Sequence, residues 1–350
     1  MIENPFRSRF RLNMKKVSAI IVNWNGKKFT VDCVESLLRQ DYPAIEIIVS
    51  DNGSTDGSIE TLREKYPQVK LLENGSNLGF GAAVNKGIEA GEGDYFLFLN
   101  NDLVLREDAV GKLANVMAEE PSAGAVVPKI LYFEKRETIN SFGIRVNYTS
   151  VCCPNLIDCK DSEALESWET ACGGIFMFRQ EVYEEVGGFD SDLFLYHEDH
   201  DLSWRIRLAG WRILVTPKAM IYHHYHFNKG VFKFYSSEKN RLFLLLKNLE
   251  WKTLFLISPA LILVELAQII HALVHGWLGL KFKSYFEILG LTRQILCKRR
   301  HLQNIRKVSD SEIVRLYEGK LKVGGVKNLL IDYILSPTLD LYWRLIRHLI

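Results

Sequence analysis

Four short apolar runs in the first third of the chain, Val17 to Val22, Ile45 to Val49, Val69 to Leu72 and Tyr95 to Leu99, are separated by stretches of helical length. This alternation restricts the fold more than any other feature. Parallel strands need long crossover connections, and helices supply them, so the pattern predicts a mostly parallel α/β sheet with helices on both faces. The helices run from about Phe29 to Arg39, from Ser58 to Tyr66, and from the glycine-rich segment Asn77-Leu78-Gly79-Phe80-Gly81 to Ala90. The fourth run reads as a buried strand and ends abruptly in Asn100-Asn101-Asp102. Ligands of open α/β sheets bind beyond the carboxyl ends of the strands. The polar cluster therefore reads either as a ligand site or as a polar strand-to-helix loop.

Phosphate-binding motifs narrow the class. A dinucleotide fingerprint needs its glycines directly after the first strand, where helix amides meet the pyrophosphate. Here Gly26 alone stands there, and Gly79-x-Gly81 follows the third strand without a third glycine. No GxxxxGK[ST] occurs, which argues against a P-loop nucleotidase. The net charge of +2 conceals an asymmetry: Met1 to Phe227 carries −9 and Asn228 to Ile350 carries +11. An acidic front suits a metal-dependent site and a basic back suits an anionic surface. Cys152, Cys153 and Cys159 lie close together among the 6 cysteines, but no paired CxxC spacing marks a zinc site. Reduced thiols in a cytosolic compartment fit them best. Arg7, Arg9, Arg11, Lys15 and Lys16 precede the first strand with no apolar stretch among them, so no secretory signal is visible.

The middle of the chain is less regular. A helix from about Asp108 to Glu119 and a strand around Ala125 to Pro128 lead into Lys129 to Glu169, which reads as hairpins or a flap. Order returns at Ala171 to Arg179, a strand behind Gly173-Gly174, where backbone approaches a ligand or forms a bulge. The densest acidic cluster follows at Tyr196-His197-Glu198-Asp199-His200-Asp201. Leu202, Ile206 and Ala209 recur at helical spacing, so Glu198, Asp199 and Asp201 fall in a first helical turn. The helix dipole favours acids there and keeps them ionised, which suits either plain helix stabilisation or a general base. Beyond a strand from Arg212 to Thr216, His223, His224 and His226 read as packed side chains or as metal ligands.

Taken in order, Val22-Asn23-Trp24-Asn25, Ser50-Asp51-Asn52-Gly53-Ser54-Thr55-Asp56-Gly57, Asn77-x-Gly79-x-Gly81, Asn100-Asn101-Asp102, Gly173-Gly174 and Glu198-Asp199 resemble glycosyltransferase family 2, most closely its rhamnosyltransferase-like branch. The resemblance spans about Val17 to His226 and implies a GT-A fold, a Rossmann-like sheet for a nucleotide sugar fused to an acceptor-binding half. It places Val22, Asn23, Trp24 and Asn25 beside the nucleotide and makes Asp51 the acceptor of a hydrogen bond from the pyrimidine. Asn77, Gly79, Asn100, Asn101, Gly173 and Gly174 complete the donor-binding set. Asp102 matches the last acid of a DXD-like motif that holds Mg²⁺ or Mn²⁺, with amides in the first two positions. His223 best matches a histidine that completes metal or diphosphate binding, with His224 and His226 as alternatives. Asp199 matches the general base, with Glu198 beside it. The implied reaction is inverting, metal-dependent transfer of one sugar, with rhamnose a candidate, from a nucleotide-diphosphate sugar to a saccharide in cell-surface polysaccharide assembly.

The back half differs in kind. Leu254 to Leu280 is almost wholly apolar, and at about 20 residues per span it is long enough to cross a bilayer. Ser258, Glu265, Gln268, His271 and His275 nevertheless share less than half of its helical circumference. That predicts a helix in the membrane interface or re-entrant, with a full span and a soluble core helix as alternatives. Between Lys281 and Lys307 eight Lys or Arg residues face Glu287 alone, which suits anionic headgroups, and no aromatic platform for nucleic acid accompanies them. Leu339 to Ile350 reads as a second amphipathic helix. Tyr235 to Lys252, including Asn240-Arg241, also resembles the rhamnosyltransferase-like branch. That implies a polyprenyl-diphosphate glycan as acceptor, at the cytoplasmic face of the cell membrane. The chain thus divides into an extension (1–16), a transferase domain (17–230) and a basic, membrane-associating helical region (231–350). Two rivals stand beside this reading. A processive polysaccharide synthase should show several spans and a QxxRW motif, yet Asp199 is followed by Leu202-Ser203-Trp204-Arg205 without the glutamine. A non-catalytic nucleotide-sugar-binding scaffold is the other.

Overall fold

A computed structural model describes residues 14–225, 230–322 and 329–350. Arg7, Arg9, Arg11 and His226 lie outside them. Strands β1 (Val17–Asn23), β2 (Ile45–Asp51), β3 (Lys70–Glu73) and β4 (Tyr95–Asn100) alternate with helices α1 (Lys27–Leu38), α2 (Ser58–Lys65) and α3 (Phe80–Ala90). The four strands are parallel neighbours in the order β3, β2, β1, β4. Their apolar runs, Ile20, Ile21, Ile48, Leu97 and Phe98 among them, are fully buried because helices cover the sheet. Gly87 lets α3 lie close on β1, since a Cβ there would stand 2.3 Å from the Ile20 side chain. Register sets Asn23 opposite Asp51 and Val22 opposite Asn100, so three polar strand ends meet at one edge.

The chain continues through β5 (Leu103–Leu105), α4 (Ala109–Glu119), β6 (Ala123–Tyr132), β7 (Ile139–Ser141), β8 (Ile144–Val146), β9 (Cys152–Pro154), β10 (Trp168–Glu169), β11 (Met177–Arg179), α5 (Gln180–Val186), α6 (Glu198–Leu208) and β12 (Arg212–His223); β8 and β9 pair with each other in a separate two-stranded sheet. Beyond β4 the order is β11, β6, β12, β10, with β11 antiparallel to both of its neighbours. The strand expected over Ala171 to Arg179 shrinks to Met177–Arg179, because Gly173 and Gly174 stay out of the sheet. β6 and β12 both run longer than their sequences suggest. Pro128 cannot donate to the ladder, and the pairing slips between Thr216 and Met220 before resuming. The extension matters for the site, because it carries His223 to a strand end opposite Leu103 rather than into a loop.

The remaining helices are α7 (Val231–Asn248), α8 (Trp251–Val274), α9 (Leu278–Gly290), α10 (Thr292–Ile305), α11 (Asp310–Val314) and, after a π-helical turn at Ile331–Leu335, α12 (Ser336–Ile346). The apolar helix ends at Val274 rather than near Leu280, because Gly276 at φ +76° turns the chain into α9. These helices share a second core with the front half: Phe243, Leu244, Ile257, Val264 and Trp343 pack with Val146, Tyr148, Trp204 and Leu208. The Tyr148 ring stacks on Trp343 with centroids 4.5 Å apart, and its hydroxyl donates to the Leu339 carbonyl at 3.0 Å.

α8 is inverted relative to a soluble amphipathic helix. Its polar residues Glu265 and Gln268 point inward, while Phe255, Ile262, Leu266, Ile270 and Leu273 are exposed. Inside, Lys281 reaches Glu238 at 2.9 Å, Glu265 at 2.8 Å and Gln268 at 2.5 Å, and Arg241 pairs with Glu238 and Glu265. Two buried cations matched by two acids satisfy one another, a condition that buried charge requires.

Candidate active site

At the strand-end edge, the fully buried Asn23 is the hub. Its Nδ2 donates to Asp51 Oδ2 at 2.7 Å and to Ser58 Oγ at 2.9 Å, and its Oδ1 accepts from Thr30 Oγ1 at 2.6 Å and Asn101 Nδ2 at 3.1 Å. Asp51 is equally buried, and its Oδ1 accepts the Gly53 and Ser54 amides at 2.9 and 2.8 Å. Asn23, Asp51 and Asn101 therefore brace the ends of β1, β2 and β4 against one another. The residues left facing outward are Trp24, 58% exposed, and Asn25, held at φ +51° while its Oδ1 accepts the Thr55 amide at 2.8 Å. Val22 and Asn100 are partly buried partners in the ladder beneath them.

Asn77 Oδ1 accepts the Gly79 amide at 2.9 Å, and the Gly79 carbonyl accepts Asn52 Nδ2 at 3.1 Å. Gly79 sits at φ +84°, and a Cβ there would meet the Phe194 carbonyl oxygen at 2.4 Å. That oxygen accepts the Phe80 amide at 3.1 Å, so the glycine-rich loop is tied to the segment that leads into α6. Only glycine satisfies both the backbone angle and the close approach.

Pairing of β5 with β12 brings Asp102 and His223 together across 121 residues of sequence. His223 Nε2 stands 3.3 Å from Asp102 Oδ2, and His223 Nδ1 stands 2.9 Å from Asn140 Oδ1. With Nδ1–H donating to Asn140, the Nε2 lone pair faces a carboxylate, an arrangement that a proton or a cation must bridge. Asp102 Oδ1 is buried and has no hydrogen-bond partner among the described residues. An unpartnered carboxylate oxygen beside an imidazole nitrogen fits a divalent cation such as Mg²⁺ or Mn²⁺. The His224 ring stacks instead on Phe133 with centroids 3.6 Å apart, burial pushes its pKa down, and its amide donates to the Asp102 carbonyl at 2.9 Å. A cavity of about 610 Å³ opens beside His223, lined by Tyr132, Glu134, Lys135, Thr138, Asp158 and Tyr225.

Glu198 and Asp199 open α6 after two consecutive left-handed residues, Tyr196 at φ +70° and His197 at φ +68°. Asn240 of α7 clamps this turn, its Nδ2 donating to the Leu195 carbonyl at 3.0 Å and the Tyr196 carbonyl at 2.7 Å. Burial pushes the Glu198 carboxyl up, with the neighbouring Asp199 charge adding to it, and burial also pushes Asp199 up. Loss of hydration thus outweighs the helix terminus, contrary to the expectation from the dipole alone. Both carboxyls are thus raised, and the pair holds a proton to higher pH than an isolated carboxyl would. On one side of Asp199 there is no side chain: a Cβ on Gly174 would lie 3.8 Å from Asp199 Oδ2. Gly173 is held in place by its amide donating to Ser203 Oγ at 3.2 Å. A carboxylate with raised proton affinity and one open flank can accept a proton from a bound hydroxyl group.

Asn140 and Asn240 carry no role in the sequence reading, although both hold site residues. Asn140 lies in the stretch read as irregular, 83 positions from His223, and Asn240 lies 44 positions from Tyr196.

Residues 18–187 match the family model described as glycosyl transferase family 2, and residues 158–228 match one described as the N-terminal domain of galactosyltransferase. The N-acetylglucosaminyl-diphospho-decaprenol L-rhamnosyltransferase of Mycobacterium tuberculosis is 30% identical over 51% of this chain and 66% of its own length. The poly-beta-1,6-N-acetyl-D-glucosamine synthase of Staphylococcus epidermidis is 27% identical over 58% of this chain and 48% of its own length. The chain therefore spans just under two thirds of the first and about half of the second. The crystal structure of GalNAc-T7 with UDP, GalNAc and Mn2+ superposes with a TM-score of 0.55 at 18% identity, covering 67% of this chain and 48% of that one, a likeness of fold.

Proposed function

The chain belongs to glycosyltransferase family 2, in its rhamnosyltransferase-like branch, with a GT-A-like sheet, and from that premise we propose that it transfers a single sugar, with rhamnose the candidate, from a nucleotide-diphosphate donor to a saccharide on a polyprenyl diphosphate. The observation that carries the reading is Asp199, a carboxyl with raised proton affinity whose one flank is kept clear by Gly174.

The strand ends braced by Asn23, Asp51 and Asn101 form the donor side, with Trp24 and Asn25 toward the nucleotide and Gly79 and Asn77 closing the loop beside it. Asp102 and His223 would hold the divalent cation, which when bound stabilises the negative charge that grows on the diphosphate leaving group. Asp199 accepts the proton of the acceptor hydroxyl as that oxygen attacks the anomeric carbon. The new C–O bond forms on the face opposite the bond to phosphate, so the anomeric centre inverts in one step. In this reading the proton that the pair holds sits on Glu198, which leaves Asp199 as the base. Alignment of hydroxyl, anomeric carbon and leaving oxygen supplies much of the rate, which explains why the Asp199 turn is clamped from α7.

The acceptor side faces a membrane surface in this reading, in cell-surface polysaccharide assembly at the cytoplasmic leaflet. α8 is long and apolar enough to cross a bilayer. Its inward polar residues are tied into the protein through Arg241 and Lys281, however, and the apolar face points out. That favours lying in the interface over spanning. Phe286 and Leu289 of α9 and Leu341 and Leu345 of α12 are exposed as well.

The test is transfer to a lipid-linked saccharide from a panel of nucleotide sugars in the presence of Mn²⁺, read by product mass and by the anomeric couplings in the product's NMR spectrum. One donor should be consumed with its anomeric configuration inverted in the product. Asp199→Asn should bind that donor without transferring it. Turnover by Asp199→Asn near the original rate defeats the base assignment, and donor binding without turnover on any acceptor favours the scaffold.

A further inference from the structure

Cys152 on β9 and His197 and His200 at the start of α6 bring one sulfur and two ring nitrogens together within 4.8 Å of one another. His200 Nδ1 stands 3.4 Å from Cys152 Sγ and 3.4 Å from His197 Nδ1. A ring nitrogen carries either one hydrogen or one lone pair, so no tautomer gives His200 Nδ1 two full hydrogen bonds. Cys152 Sγ has one further contact, the Ser150 carbonyl at 3.8 Å.

The distances fit a cation better than a proton. With Zn–N near 2.0 Å and Zn–S near 2.3 Å, the edges of a tetrahedron are about 3.3 Å between nitrogens and about 3.5 Å between nitrogen and sulfur. The two contacts of His200 Nδ1 fall close to those edges, and Cys152 and His197 lie within 4.8 Å, so a small shift of one side chain closes the third edge. The tautomer of His197 is also prepared. His197 Nε2 lies 3.0 Å from Ser237 Oγ of α7, and donation of Nε2–H to that hydroxyl leaves the Nδ1 lone pair aimed at the cluster. Metal-binding histidines are oriented by such an outer hydrogen bond. His200 is fixed by stacking on Trp204, with ring centroids 5.2 Å apart and planes 19° from parallel.

We infer that Cys152, His197 and His200 bind a zinc ion, at a centre that shares no residue with the Asp102–His223 pair. One thiolate and two imidazoles form a donor set suited to zinc rather than to Mg²⁺ or Mn²⁺, which prefer oxygen. A fourth position is left for water or another exchangeable ligand. Loading displaces the thiol proton to solvent and leaves all three lone pairs on the ion, with no change in oxidation state. The ion joins β9 and the first turn of α6, and Ser237 extends the link to α7. Its role is to position Asp199, which lies between the two histidine ligands in sequence.

The test uses the full chain without a histidine tag, saturated with Zn²⁺ and passed through gel filtration before elemental analysis. About one zinc per chain should remain. Cys152→Ala should lose it, and Asp102→Ala should keep it. The same protein loaded with Co²⁺ should show the near-ultraviolet thiolate-to-cobalt charge-transfer band, a signal that Asp102 and His223 cannot produce. Wild-type protein that shows no such band and retains no zinc overturns the proposal, whether or not the variants fold. Equal zinc retention by Cys152→Ala overturns it too. Neither readout depends on transferase activity, so a failure here leaves the proposed reaction untouched.

Discussion

Replacing Asn240 by aspartate tests whether the C-terminal helices set the geometry of the turn that precedes Asp199, the proposed base. The side chain is buried, and its Nδ2 supplies both hydrogen bonds to the Leu195 and Tyr196 carbonyls. Asn240→Asp keeps the shape but removes both donors and sets carboxylate oxygens against two carbonyl oxygens. At a net value of about 1 kcal/mol for each neutral hydrogen bond, about 2 kcal/mol of support is withdrawn. The left-handed backbone at Tyr196 and His197 costs roughly 1 to 2 kcal/mol per residue, so the withdrawn support is comparable to the strain that it opposes. The turn should relax and carry Asp199 with it. A displacement of about 1 Å at a catalytic group is enough for a loss near 100-fold. The expected result is kcat lower by about two orders of magnitude with donor KM little changed, measured as initial transfer rates at saturating acceptor. Donor affinity by calorimetry should stay at the wild-type value. If Asn240→Asp loses stability but keeps kcat, or loses donor affinity in step with kcat, the clamp does not act on Asp199.

The remaining predictions concern charge and surface. Glu198→Gln imitates the protonated carboxyl and should retain most of the transfer rate that Asp199→Asn abolishes; loss of the rate in both would make Glu198 a second base. Burial pushes the Asp190 carboxyl up, but Lys247 and Lys298 outweigh it and hold the group below its ordinary value of 3.8. A depressed carboxyl contributes stability above its unfolded pKa and loses it as pH falls through the folded one, so denaturant titrations should show stability falling below about pH 4. Lys298→Met should flatten that fall, and an unchanged slope would contradict it. On the exposed face of α8, Ile262→Ser with Leu266→Ser should reduce co-sedimentation with anionic vesicles at least several-fold while the melting temperature holds, because neither side chain is in a core. Equal sedimentation would move the membrane contact elsewhere.

The first four strands are legible because each is an apolar run bounded by polar loops, and the structure keeps them to within a residue or two. The stretch from Lys129 to Glu169 is not, since its strands are two or three residues long and too short to set up a period. Residues named for the donor site divide in the same physical way. Trp24 and Asn25 face outward, whereas Asp51 and Asn101 turn into the frame, and nothing local in the sequence distinguishes a carboxylate that meets a ligand from one that braces a strand. The choice of His223 over His224 depends on strand pairing with β5, a long-range fact. The polar stripe of α8 is plain from periodicity. That it faces inward depends on Arg241 and Lys281, which arrive from other helices.

The contact between Gly79 and Phe194 ties two loops of the candidate site together. The loop that borders the donor edge and the segment that leads to Asp199 share one carbonyl oxygen, with the Phe80 amide bonded to it and no room for a Cβ at Gly79. A displacement of either segment is therefore passed to the other through that oxygen. If the glycine-rich loop moves when a donor binds, the segment before Asp199 moves with it, and addition should be of compulsory order with the donor leading, an expectation that product-inhibition patterns check.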